Sequence, residues 1–123
     1  MGTKSSLTAL AREQLKIATH ASSGRSARSV YGGHEYVLRQ TLIALAAGRG
    51  LDEHDSPGEA TVHVLQGRVR LATGEDEWEG SAGDLLIVPP ARHTLHAVED
   101  SAVLLTVGAH RNHTADPLPG AAG

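Results

Sequence analysis

Eight histidines are the residues of this chain best suited to chemistry near neutral pH, because imidazole gains or loses a proton there and binds transition metals. They stand at His20, His34, His54, His63, His93, His96, His110 and His113. No cysteine accompanies them, which excludes disulfides, thiolate zinc sites, iron–sulfur ligation and a thiol nucleophile. The sequence also lacks a glycine-rich phosphate loop, a nucleophile elbow and any Ser/His/Asp arrangement. Asp52, Glu53, Asp55 and Glu59 cluster without the spacing or central glycine of a calcium loop, and read as a solvated rim. What remains is metal binding, or hydrogen bonding inside a cavity.

Elements must bring such residues together. From Leu7 the apolar positions Leu7, Leu10, Ala11, Leu15 and Ala18 recur at three- and four-residue intervals, which predicts one helix capped by Ser5 or Ser6. The small and polar stretch Ala21 to Ser26 ends it. Beyond it the period changes to two. Residues 34–45, 61–65, 68–71, 85–88, 93–98 and 102–107 form runs of strand formers punctuated by Gly48, Gly50, Gly67, Gly74 and Gly83. Arg68 and Arg70 alternate with Val69 and Leu71, as on a strand with one wet face. Leu85 to Val88 is apolar throughout and predicts a strand covered on both faces. The expectation is an all-β domain: residues 1–25 a helix and linker, 26–108 a small antiparallel barrel, and 109–123 a disordered tail. With Phe absent, its core must be built from Leu, Val, Ile and Ala, and Val62, Val64, Leu71, Leu86, Val88, Leu104 and Val107 are expected inside.

Two segments carry a resemblance. Gly50 to Gly67 is similar to the first motif of the cupin family, in which a histidine-bearing strand follows a glycine and a second strand ends in Val-Leu-x-Gly, here Val64-Leu65-Gln66-Gly67. Gly83-Asp84-Leu85-Leu86-Ile87-Val88-Pro89-Pro90-Ala91-Arg92-His93 resembles the second motif, where Gly-Asp opens a strand and a proline turn delivers a histidine. The resemblance runs from about Gly50 to Val107 and implies a jelly-roll β-barrel holding a divalent Fe, Mn, Ni or Zn ion on three histidines and a glutamate. It places ligands at His54 and His93. It would place the second histidine at Ser56 and the carboxylate at Ala60, so half of the ligand set is missing.

Glu59 lies one residue early, and a one-residue offset turns a strand side chain to the other face. His63 is turned away by the same alternation, although it is the one candidate for a substitute third ligand beside His54 and His93. On the preceding strand either Arg39-Thr41-Ile43 or Leu38-Gln40-Leu42 must face inward. The second set is more apolar, which makes Gln40 the expected cavity residue, on a strand running beside that of His54. The reading is a cupin-like protein of bacterial type that binds a small molecule through His54, Ser56, His93 and Gln40, with no cofactor expected and an accessory or sensor role. The alternative is a metal-dependent dioxygenase or isomerase using His54, His93 and a substitute ligand. A third reading is a purely structural dimerisation module. A homodimer is expected from the resemblance. A formal charge of −3 argues against a nucleic-acid or membrane-surface partner. Met1 to Leu7 lacks the apolar run of a secretory signal, and a cytoplasmic location is expected.

Overall fold

A computed structural model describes residues 3–54 and 58–109. Its elements are α1 (Leu7–His20), β1 (Arg25–Tyr31), β2 (Leu38–Leu45), β3 (Gly50–His54), β4 (Gly58–Gln66), β5 (Arg68–Ala72), β6 (Glu77–Ser81), β7 (Leu85–Ile87), β8 (His93–Ala97) and β9 (Ser101–Ala109). The strands form two antiparallel sheets, ordered β1-β2-β9-β4-β7 and β3-β8-β5-β6. This is the expected all-β barrel with one N-terminal helix. Gly80 closes one seam between the sheets: its Cα lies so near Leu86 that a Cβ there would meet that side chain at 3.2 Å.

Alternation along each strand sends one set of side chains inward. On β4 these are Ala60, Val62 and Val64; on β5, Val69 and Leu71; on β8, His93, Leu95 and Ala97. With Ile43, Leu45, Val88 and Val103 they make the barrel core. Of the side chains expected inside, Val62, Val64, Leu71, Val88 and Leu104 are buried, while Leu86 and Val107 are partly so. Leu104, however, is on the outward face of its sheet, four residues along β9 from Gly108 and in register with outward His63.

The helix answers to a second core. Ser6 caps it, its Oγ accepting the Ala9 N–H at 3.2 Å. Ala11, Leu15 and Ala18 pack on the outer face of the larger sheet, against Leu42, Ala44 and Ala102. A fully buried leucine such as Leu42 contributes on the order of 2 kcal/mol. The buried Gln14 beside them would be costly unpaired, and it accepts a hydrogen bond from the Ser26 hydroxyl of β1.

Three expectations are corrected. The strand bearing Gln40 does not run beside that of His54, because β2 pairs with β1 and β9 whereas β3 pairs with β8 in the opposite sheet. The chain crosses between sheets in the turn after Leu45. Ile43 and Leu45 enter the barrel core while Leu42 and Ala44 meet the helix, so Gln40 faces out, donating to Thr106 Oγ1 at 3.2 Å. The larger apolar content of its set reflects the helix, not the barrel. Finally, Leu85 and Ile87 are not covered on both faces: they are 57% and 67% exposed, and only Leu86 and Val88 of that run pack inward.

Candidate functional site

One end of the barrel gathers the end of β3, the start of β8 and the turn at Pro89 to Ala91. The turn is closed by the Ala91 N–H donating to the Pro89 carbonyl at 2.8 Å. It delivers His93 as the first inward residue of β8, 5% exposed. The His93 Nδ1 lies 2.9 Å from the Ala91 carbonyl oxygen. A carbonyl can only accept, so Nδ1 is the donor in this bond. The backbone partner of His93 across the sheet is His54, with an irregularity in register between Leu51 and His54. The two sequence-predicted histidine positions are therefore brought opposite one another. Ser56 lies outside the described residues, as does the side chain of His54.

Beneath His93 the barrel encloses a cavity of about 20 Å³. Ile43, Val62, Val103 and Leu105 line it from one sheet and Leu51, Leu71 and Leu95 from the other, with Val88 at the seam. His93 is the one polar residue among the described residues lining it. A space of this size holds about one water molecule, which needs two or more polar partners to be stable there. Among the described residues the lining is thus aliphatic, with one imidazole at its edge.

The other candidates fall elsewhere. His63 alternates with the buried Val62 and Val64, and is half-buried on the outward face of β4 between Leu104 and Leu85. Its role as a substitute third ligand is excluded by that geometry, since ring and cavity lie on opposite sides of the sheet. Gln40 is on the same outward face and lines no part of the barrel. His96 is exposed on the outer face of β8. The inward set of β2 is the less apolar of the two alternatives. Thr41 and Arg39 belong to the inward set of β2, and the Arg39 guanidinium donates from Nε to the Tyr36 carbonyl at 3.1 Å and from Nη2 to the His34 carbonyl at 3.0 Å. No local signal marks them, because both alternating sets of β2 end in aliphatic residues.

The donor chemistry bears on the metal. Position 60, where the resemblance implies a carboxylate, does face the barrel, and it supplies only the methyl of Ala60. Glu59 beside it is turned outward and exposed. Among the described residues no group of three or more His, Asp or Glu side chains stands close enough to hold an ion. An aliphatic lining with one described imidazole does not fit a transition metal, whose site needs several nitrogen or oxygen donors.

Comparison with known proteins decides the family. The Cupin_2 family, described as a cupin domain, matches residues 41–108, more than half of the chain. The chain belongs to the cupin family. Among solved structures this cupin is similar to a conserved Streptococcus pyogenes protein of unknown function, at 25% identity and a TM-score of 0.66 over 75% of this chain and 80% of that one. It is also similar to a cupin superfamily protein from Desulfitobacterium hafniense, at 17% identity and a TM-score of 0.61 over 69% and 79%. An RmlC-like cupin from Desulfovibrio desulfuricans matches at 24% identity and a TM-score of 0.60 over 68% and 81%. A search of curated proteins gave no match. No helix among the described residues of this cupin is long and apolar enough to cross a membrane.

Proposed function

We propose that this cupin is a non-catalytic binding module that takes a small, largely apolar molecule carrying a single hydrogen-bonding group at the His93 end of the barrel, in a sensor or accessory role. The observation that carries the reading is the lining: aliphatic side chains from both sheets surround one buried imidazole. A site of that composition grips an apolar body by burial and orients it by one polar contact. General acid–base or metal catalysis would need further groups converging on the same space, and the described lining offers none. Because the cavity admits about one water, binding requires Leu51, Val88 and their neighbours at the open end to move apart.

The test is titration of the backbone amide spectrum with neutral probes, cyclohexanol and benzyl alcohol, against benzoate as a charged control. Saturable shifts at Leu51, His93 and Leu95 with the alcohols are expected, and a His93→Leu chain should bind them about tenfold more weakly through loss of one buried hydrogen bond. Absence of saturable shifts at those amides overturns the reading. So does one iron, nickel or zinc ion per chain in protein purified without an affinity tag, which transfers the case to a metal-dependent enzyme.

A further inference from the structure

Helix α1 covers only part of the outer face of the larger sheet, the part around Leu42, Ala44 and Ala102. Beside it a groove of about 540 Å³ opens between the start of the helix and the sheet, with Lys4, Leu7, Val30, Tyr31, Gln40 and Leu104 among its walls. Ligand pockets run from ~300 to ~1,000 Å³, so this is a space to be filled and not a packing defect. Its rim is aromatic. The rings of Tyr31 and Tyr36 meet edge to face, with centroids 5.5 Å apart and planes at 70°, and each residue is nearly half exposed. The pair is held in place by the backbone. Gly32, at φ +92, turns the chain so tightly that a Cβ there would strike the Leu38 carbonyl oxygen. The Tyr36 N–H donates to the Gly33 carbonyl at 3.0 Å, and the Tyr36 carbonyl accepts from Arg39 Nε at 3.1 Å. A fixed pair of exposed rings beside an aliphatic trough suits proline-rich chain, because a polyproline II segment is already extended and packs its edges on aromatic rings.

The sequence carries such a segment, Asp116-Pro117-Leu118-Pro119. Strand β9, which precedes it, ends at Ala109 next to the groove. Gly108 pairs with Leu38, and Thr106 pairs with Gln40, which pairs in turn with Tyr31. From Ala109 the row of Tyr31 is ~10 Å back along the strand and ~10 Å to the side, a straight distance of ~14 Å. The seven residues from Ala109 to Asp116 span up to ~23 Å, which leaves slack for a turn back over the sheet. Charge runs in matching order. Glu59 points outward and exposed on β4 beside Gly108, and Lys4 walls the groove at the far side. Along the chain basic Arg111 comes first and acidic Asp116 second. Glu59 stands three strand spacings from β1, ~14 Å, and Arg111 to Asp116 spans ~15 Å as polyproline II.

We infer that residues 116–119 lie in this groove of their own chain. Pro117 packs on the Tyr31 and Tyr36 rings, Leu118 enters the trough between Leu7, Val30 and Leu104, and Asp116 pairs with Lys4. A polyproline II helix has three edges; two adjacent ones meet the surface, and Pro119 on the third stiffens the backbone. Tethering so close to the groove gives the segment an effective concentration in the millimolar range, about a thousandfold above that of any second chain at micromolar concentration. The prolines reduce the entropy lost on docking, and the aliphatic walls and Leu118 leave water together. The groove and the His93 cavity lie on opposite faces of the sheet, so this strap is independent of ligand binding inside the barrel.

Amide relaxation and nuclear Overhauser contacts of the full chain test this, with circular dichroism as the folding control. The Leu118 amide is expected to show an order parameter above ~0.6, and the Leu118 methyls to contact the Tyr31 ring. Leu118→Asp should drop that order parameter below ~0.6 and erase the contacts, with an unchanged circular dichroism spectrum. Tyr31→Ser should release Leu118 in the same way from the groove side. In an equal mixture of isotope-labelled and unlabelled chains, filtered spectra should show no Leu118–Tyr31 contact between copies. A wild-type order parameter below ~0.6, order at Leu118 that survives either substitution, or a filtered contact between copies overturns the inference.

Discussion

The barrel has two ends, and they are made of different material. At the end where β4 turns into β5, polar atoms are paired one by one. Ser101, 1% exposed, accepts the Arg68 N–H at 3.0 Å, and its Oγ lies 2.7 Å from the Glu99 carbonyl oxygen and 3.0 Å from that of Arg68, either of which can take its single proton. Asp100 Oδ1 takes the Ala47 N–H at 2.8 Å, the Gly48 N–H donates to the Ala97 carbonyl and the Ala97 N–H to the Arg49 carbonyl, each at 2.8 Å. Gly67 sits among them with φ +84, so close to its neighbours that a Cβ would meet the Asp100 carbonyl at 2.2 Å. At the opposite end His93 bonds the Ala91 carbonyl, and among the described residues its other cavity neighbours are aliphatic. Polar pairing is therefore concentrated at the first end, and aliphatic packing at the His93 end.

The sharpest way to break the comparison is Gly67→Ala. The left-handed backbone and the clash with Asp100 and Ser101 together should cost about 3 kcal/mol or more. For a chain of this size that lowers the thermal midpoint by about 12 °C, read by circular dichroism. A midpoint within experimental scatter of the wild type would show that the pinned end does not carry the fold.

Ser101→Ala should be the next largest. It strips the part-buried Arg68 N–H of its acceptor and removes the hydroxyl proton from beside the Glu99 carbonyl, a loss of about 2 kcal/mol. Urea unfolding should show a lower midpoint with an unchanged slope, since the native surface stays the same.

His93→Leu sharpens the contrast from the other side. Leucine forfeits the Nδ1 bond to Ala91 but extends the aliphatic lining, and the exposed turn lets water reach the vacated carbonyl. The net change should stay within about 1 kcal/mol. A loss comparable to that of Ser101→Ala, in the same urea titration, would mean that both ends hold the fold equally.

The motifs around His54 and His93 were legible because both are short, contiguous and punctuated by glycine and proline. The register does set those two positions opposite one another. The rest of the site was less legible. His63 and Glu59 are fixed on the outward face by alternation from Ala60, which a strand of known phase makes predictable. Gln40 belongs to the more apolar set yet faces outward, because β2 is buried on both faces from Leu42 to Leu45 and hydrophobicity carries no phase there.

Sequence alone determined the strand-rich architecture, the single capped helix, the wet alternation of β5 and the poverty of metal donors at positions 56 and 60. Each of these depends on local period, local turn chemistry or residue type, and no distant contact is needed to state it. Tertiary structure decided where α1 rests, which face of β2 enters the barrel, how little space remains beneath His93, and that Leu85 and Ile87 are left bare. Those outcomes depend on which surface packs against which, and an apolar side chain is satisfied equally by a barrel core, a helix or a second protein, because hydrophobic burial has no direction.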